Sequence, residues 1–464
     1  MSLRLSLPGL DTVNETPTRA SLYAELDAFF DVLWPLPRSI TGEGTQRTLE
    51  LFAEKMPLKL GHVPSGTKAF DWFVPPVWRI REAQLTGPRG EVVADFAADN
   101  LAVVNYSEPV DRELDLDELQ PHLHSLPHLP DAIPYVTSYY QRRWGFCLPH
   151  SVRERLAPGQ YRARIDSDFD GPGGVPYADL VLPGESDLEV VLTSYVCHPS
   201  MANNELSGPL TLLALYRLLA AWPRRRFSYR FALHPETVGA ICYLSRVSEI
   251  LRSRAIAGAV LTCMGGPTER LSYKRSRPGC SLLDALIARH PARFDLRPYD
   301  PTHGSDERQY GAPGFKLPIG QFCRTHYGWY DGYHNSLDTK AFMGVDRVVD
   351  SALQLEDVLK ELELSAVYDN LAPFGEPQLG RRGLYPSMNA GGLRGGEAGI
   401  SWQVQHERLM WVLNGCDGET RMSDVAQRAG HDLRALSHTI ESLENVGLLR
   451  LSTGAHGPAP WRPR

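Results

Sequence analysis

The run SYVCHPSMANNELSGP, from Ser194 to Pro209, gathers His198, Asn203, Asn204 and Glu205 into one short polar stretch. An apolar run, DLEVVLT, leads into it, and PLTLLALYRLLAAW behind it reads as a helix. A histidine therefore closes a strand, and a carboxylate stands at the mouth of the next helix. Glu236 follows another strand-like run, RFAL, in HPETVG. Thr262 and Cys263 end AGAVLTCMGG, and His334 and Asp338 sit in the polar loop YDGYHNSLDT after LPIGQFCRT. In open α/β sheets, ligands bind beyond the carboxyl ends of the strands. A single histidine is more often structural than ligating, but several such sites converging on one edge point to ligand chemistry. Glu205 keeps two readings, a ligand or an acidic group favoured at a helix N-terminus.

The elements that must position these residues are legible in the hydrophobic pattern. From about Ala178 to Tyr368, the strand candidates DLEVVLTSY, SYRFALHP, AGAVLTCMG and LPIGQFCRT alternate with helical runs, ending in VDRVVDSALQLEDVLKELEL. That alternation predicts an α/β fold with a mainly parallel sheet between helical layers. Two helical runs, SLYAELDAFFDVLWPL and GEGTQRTLELFAEKM, come first. Between them and the alternating region lies an aromatic-rich, strand-like stretch with a Gly-Pro-Arg-Gly turn. The expected organisation is an α/β domain over 20–65 and 171–370, an inserted β-rich domain over 66–170, a linker over 371–403 and a module over 404–453. The last has the order helix, short helix, longer helix, small strand, which predicts a winged helix-turn-helix.

Composition narrows the function classes. The 464 residues are 42% hydrophobic and 22% charged, as in an ordinary globular protein. The net charge of -7 argues against a protein that coats itself in nucleic acid. No apolar run is long enough for a transmembrane helix, and the N-terminus has neither the apolar core nor the cleavage site of a signal peptide. The seven cysteines form no CxxC pair, so neither a disulfide framework nor a cysteine zinc cluster is expected. The expected location is the cytoplasm, with no membrane partner.

The motifs CHPS…NNELSG, PETVG, GSDERQYGAPGFKLPIG and YHNSLD resemble those of the bacterial zinc aminopeptidases, a group that also holds glutaminyl cyclases and glutamate carboxypeptidases. More closely, the chain resembles bacterial aminopeptidase-like proteins with an inserted β domain, marked here by DWFVPPVWRI, YSEPV and YYQRRWGFC, and a C-terminal winged helix. The resemblance implies a three-layer α/β/α peptidase fold. It matches His198 and His334 to the two zinc-binding histidines and Glu236 to the general base. Asn204 stands where the family has a bridging aspartate, Thr237 where it has a ligand glutamate, and Thr262 or Cys263 where it has a second aspartate.

Those replacements remove the carboxylates that neutralise two zinc ions. One zinc needs only three protein ligands and a water. The expected set is His198, His334 and Glu205, with Asp306 as the fallback carboxylate and Glu236 taking the proton from water. Asn204, Asp306, Arg308 and Arg324 are expected on the substrate side, the arginines being suited to a carboxylate. A cysteine nucleophile is disfavoured, because alternation turns Cys197 away from His198.

The resemblance thus implies a zinc-dependent hydrolase of an amide bond in a small peptide or peptide-like metabolite. Two alternatives remain: an inactive peptidase fold that binds a ligand and signals through its winged helix, and a cyclase of the glutaminyl type. The third helix of the winged module, DLRALSHTIESLENVG, carries one arginine against three acidic residues. A protein partner or self-association is therefore expected there rather than nucleic acid.

Overall fold

The computed structural model describes residues 16–139, 141–385 and 400–452. The chain forms two compact units. The first comprises Met1–Pro183, Leu188–Pro223 and Ser228–Glu356, and the second Gly184–Asp187, Arg224–Phe227 and Asp357–Arg464.

In the first unit the strands Glu189–Tyr195, Ser228–His234 and Ile319–Cys323 are buried at every position. Strands of this kind need cover on both faces. They lie in an eight-stranded sheet ordered Lys59–Pro64, Gly174–Leu182, Ser228–His234, Glu189–Tyr195, Ala255–Leu261, Ile319–Cys323, Leu271–Lys274, Phe294–Arg297. The four central strands, Ser228–His234 through Ile319–Cys323, run parallel. On one face the helix Val238–Arg254 packs Tyr243, Leu244 and Leu251 against Val191, Ala232, Val260 and Ile319. On the other, the helix Ser207–Ala220 approaches so closely that a Cβ on Gly208 would meet Leu261 O and Ser194 Oγ at 2.3 Å. Helices on both faces make the three-layer α/β/α arrangement that the alternation implied.

A second sheet of four antiparallel strands is ordered Val92–Asp95, Val77–Thr86, Gln160–Gly171, Val110–Asp115. It is formed between two neighbouring strands of the large sheet, Lys59–Pro64 and Gly174–Leu182. The strand Gln160–Gly171 alternates exposed and buried residues. Its Tyr161, Ala163 and Ile165 pack with Leu85, Leu114 and Phe146.

The second unit carries the helices Trp402–Gly415, Met422–Ala429 and Ser437–Asn445 and a three-stranded sheet. Its central strand is Val367–Asn370, between Asp417–Arg421 and Leu449–Leu451. The sequence reading gave that strand to the α/β domain, but its partners lie far along the chain, where no local pattern points. Residues 386–399 of the expected linker fall outside the described residues. Among the described residues no helix is long and apolar enough to cross a membrane.

The helix Ser437–Asn445 bears Glu441 and Glu444 and no lysine or arginine. Glu444 pairs with Arg224, and with Arg226 at 3.1 Å. An acidic third helix repels phosphates instead of releasing counterions onto them. The full chain should therefore give no salt-sensitive, sequence-specific complex in gel-shift assays at physiological salt. A defined DNA site bound tightly would contradict this.

Candidate active site

The four central strands are parallel neighbours, so their carboxyl ends share one edge. Tyr195 leads to Cys197 and His198, His234 to Glu236 and Thr237, Leu261 to Thr262 and Cys263, and Cys323 to the loop that carries His334. The backbone here is strained. Of seven described non-glycine residues in the left-handed region, four lie at this edge: Ser200 (φ 46), Thr237 (φ 56), Cys263 (φ 51) and His334 (φ 58). Such conformations persist only where the surroundings over-determine them, and they cluster at functional sites.

His198 is 4% exposed. Its Nδ1 lies 2.9 Å from Glu205 Oε2. Glu205 is wholly buried on the single wide turn Ala202–Leu206 that opens the helix Ser207–Ala220. Behind it stands Arg38, also wholly buried, with Nε 3.5 Å from Glu205 Oε1. Arg38 also donates to His198 O at 2.9 Å and to Leu33 O at 2.6 Å. A carboxylate on Nδ1 fixes which ring nitrogen carries the proton. It leaves His198 Nε2 turned toward Glu236 Oε2 at 3.8 Å. Burial works against a charge on His198, but its contacts with Cys197 and the Glu205 carboxylate raise its pKa, so a metal at Nε2 would have to displace a proton there.

Glu236 is 25% exposed and accepts from the Ser305 hydroxyl. Burial raises its pKa, with His198 opposing. Asp306 is wholly buried and accepts from Thr237 N at 2.7 Å, pinning the strained turn that presents Glu236. Its Oδ2 has no hydrogen-bond partner and lies 3.7 Å from His234 Nδ1. Burial, reinforced by the charge of Glu236, lifts Asp306 well above the usual carboxylate range.

His334 stacks on Tyr333 at 3.9 Å, and its ring centroid lies 5.3 Å from that of His198. Its Nε2 is buried and has no hydrogen-bond partner. Burial and the nearby His198 pull its pKa down to about 3, so the imidazole is neutral. Asp338 accepts from the backbone N–H groups of Asn203 and Asn204, each at 2.8 Å, and clamps the turn that carries Glu205. The Tyr195 hydroxyl lies 2.8 Å from Asn204 O and 2.6 Å from Thr262 Oγ1. Asn204 and Thr262 thus join a network of neutral groups.

The expected residues divide accordingly. His198, Glu205, Asn204, Glu236 and Asp306 are brought together, and His334 faces His198. The expected tripod of His198, Glu205 and His334 is not closed. Among the described residues, the group with ligand atoms all within 4.8 Å is Cys197, His198 and Glu205. Glu205 stands on the Nδ1 side of His198, drawn there by Arg38. Asp306 is spent on the Thr237 backbone instead of facing a substrate.

Arg308 donates through Nε to Ser305 O at 3.2 Å, beside Glu236. Arg324 is buried and bonded to Ser351 Oγ at 2.8 Å, Thr268 O at 3.0 Å and Glu269 O at 3.1 Å, which is a structural placement. Sequence reasoning missed Arg38 and Ser305, for which no spacing signal exists. It also turned Cys197 away, yet Cys197 Sγ is 3.4 Å from His198 Nδ1. The strand ends at Tyr195, so alternation does not reach Cys197. Burial pushes that thiol up to about 11, which keeps it neutral.

Residues 28–365 match the family described as a domain of unknown function (DUF4910), and residues 366–451 match a winged helix-turn-helix family. A Clostridium acetobutylicum protein, provisionally described as a polysaccharide biosynthesis protein with an aminopeptidase-like domain, is 36% identical over 94% of this chain and 98% of its own length. A crystal structure of a C. acetobutylicum protein, provisionally described as a peptidase, is 36% identical, covers 93% of this chain and 97% of that one, and superposes with a TM-score of 0.80. A zinc aminopeptidase from Bacillus subtilis is 12% identical over 75% of this chain and 95% of its own, with a TM-score of 0.55, which shows a shared fold.

Removing one partner of a buried ion pair leaves an uncompensated charge. Arg38→Ala should therefore destabilise the protein by about 3–5 kcal/mol, read from denaturant unfolding against the parent chain. A loss under about 1 kcal/mol, the scale of an exposed pair, would mean that Glu205 does not depend on Arg38.

Proposed function

Because the chain belongs to the DUF4910 family and has the zinc aminopeptidase fold, we propose that it is a zinc-dependent hydrolase of an amide bond in a small peptide or peptide-like metabolite. The observation that carries this reading is the pair of imidazoles beside Glu236. The Nε2 of His198 is freed by the Glu205 contact at Nδ1, and the Nε2 of His334 is buried without a partner. Orphaned buried polar atoms of this kind are rare, and each needs a partner. His198 and His334 would supply two of the three protein ligands that one zinc uses, and the nearest carboxylate to His198 Nε2 is Glu236 at 3.8 Å. Bound there, zinc would supply Lewis-acid polarisation and an acidified water.

In this reading Glu205 is the carboxylate behind His198, fixing its tautomer, and Arg38 keeps Glu205 in place. Glu236 is the general base, and Ser305 holds one of its oxygens so that the other faces His198. Burial raises the pKa of both carboxyls, and on Glu236 His198 and the Ser305 hydroxyl oppose it, favouring the charged form. Asn204, Thr237 and Thr262 offer no charge to a second metal. The C. acetobutylicum relative's description as a polysaccharide biosynthesis protein favours a biosynthetic metabolite over a protein as the substrate, and the cytoplasm as its setting. The winged helix contributes a protein contact or self-association.

The neutral network of Tyr195, Asn204 and Thr262 favours one second reading, an inactive peptidase fold that binds a ligand. Metal content separates the two. The hydrolase should retain about one zinc per chain, and His198→Ala and His334→Ala should each lose it, as read by elemental analysis at low free zinc. Full occupancy in either variant would remove that histidine from the ligand set.

Glu236→Gln should keep the zinc and lower turnover on the order of 100- to 10,000-fold, because the amide cannot accept a proton. Loss of metal in this variant would make Glu236 a ligand. Full activity would place the base elsewhere.

A further inference from the structure

Arg308 lies on the short helix Glu307–Tyr310 and is partly buried. Ser305 joins it to Glu236. The Ser305 carbonyl accepts from Arg308 Nε at 3.2 Å, and the Ser305 hydroxyl donates to Glu236. The neighbouring carboxyls are committed elsewhere. Glu307 accepts from Lys274 Nζ at 2.7 Å and Ser305 N at 2.9 Å, and Asp306 accepts from Thr237 N at 2.7 Å. Among the described residues Arg308 forms no ion pair, in contrast to Arg230, which holds Glu189 and Asp179, each at 2.6 Å. Its charge acts through space on Glu236 and Asp306, but among the described residues its terminal nitrogens are in hydrogen-bond contact with no carboxylate, and its Nε is held by Ser305.

The geometry points to Arg308 as the docking point for a carboxylate of the substrate, so that the amide cleaved belongs to a small amino-acid conjugate with a free carboxylate near the scissile bond. This rests on the reading of the site as hydrolytic. With Nε held by Ser305, the terminal nitrogens of Arg308 form a planar fork that matches the two oxygens of a carboxylate. Docking there puts the conjugate beside Glu236 and offsets the repulsion between its own carboxylate and that of Glu236. An uncharged peptide analogue gains nothing from the fork.

The test measures affinity without turnover. Glycylglycine and N-acetylglycine are titrated calorimetrically against the zinc-loaded full chain carrying Glu236→Gln, which does not turn them over, each beside its C-terminal amide, with inorganic phosphate as a third arm. The free acids should bind about 10- to 100-fold tighter than the amides, the worth of a charge-assisted pair. In Arg308→Gln that ratio should fall to about one, with the affinity for the amides unchanged, and Arg308→Lys should restore part of it. The ratio is taken within each variant, so a change in stability does not move it. Equal binding of acid and amide, or no binding of either, would overturn the proposal. So would a ratio that survives Arg308→Gln, or phosphate binding tighter than both acids. Failure of the hydrolase reading would look different: no zinc and no turnover in the parent chain, whatever the ratio.

Discussion

The buried contact among Arg38, Glu205 and His198 is the constraint on which the site depends. Two wholly buried charges lie 3.5 Å apart, where an unpaired charge would be strongly destabilising. Arg38 adds bonds to two fixed carbonyls, those of Leu33 and His198. It thereby ties the end of the first helix to the loop that leaves the central strand. The turn carrying Glu205 is held twice, at its carboxylate by Arg38 and at its backbone by Asp338. Neither clamp is a motif residue of the turn itself, yet together they decide which nitrogen of His198 faces Glu236.

The backbone strain and the charge balance follow the same logic. Thr237 holds a conformation that a β-branched residue rarely adopts, and Asp306 supplies the acceptor that keeps it there. That turn presents Glu236. Around it Asn204, Thr262, the Tyr195 hydroxyl, the Cys197 thiol and the His334 imidazole are neutral, and the Glu205 carboxylate is offset by Arg38. A site with so little negative charge can neutralise one metal ion far more readily than two.

The strands and their order of appearance were legible because central strands of a parallel sheet are buried on both faces and read as unbroken apolar runs, as EVVLTSY and SYRFAL do. Once strands alternate with helices, the residues after each strand must share an edge, so His198, Glu236 and His334 could be placed together. What pattern could not show was how each polar side chain is spent. Asp306, Arg308 and Arg324 lie near one another in sequence, yet one holds a backbone amide, one is unpaired and one is sunk among carbonyls. Arg38 sits in a helix connection, LPRSITGEG, where periodicity carries no information. The pairing of Val367–Asn370 was hidden because its partners lie far along the chain.

The central claim is that Glu205 stands behind His198 and leaves Nε2 to the metal. A crystal structure of the zinc-loaded protein, with an anomalous difference map at the zinc edge, tests it directly. The account predicts one peak, bonded to Nε2 of both His198 and His334, with Glu205 still on Nδ1. A peak bonded to Glu205 and Cys197 on the Nδ1 side, or two peaks in the site, would contradict it.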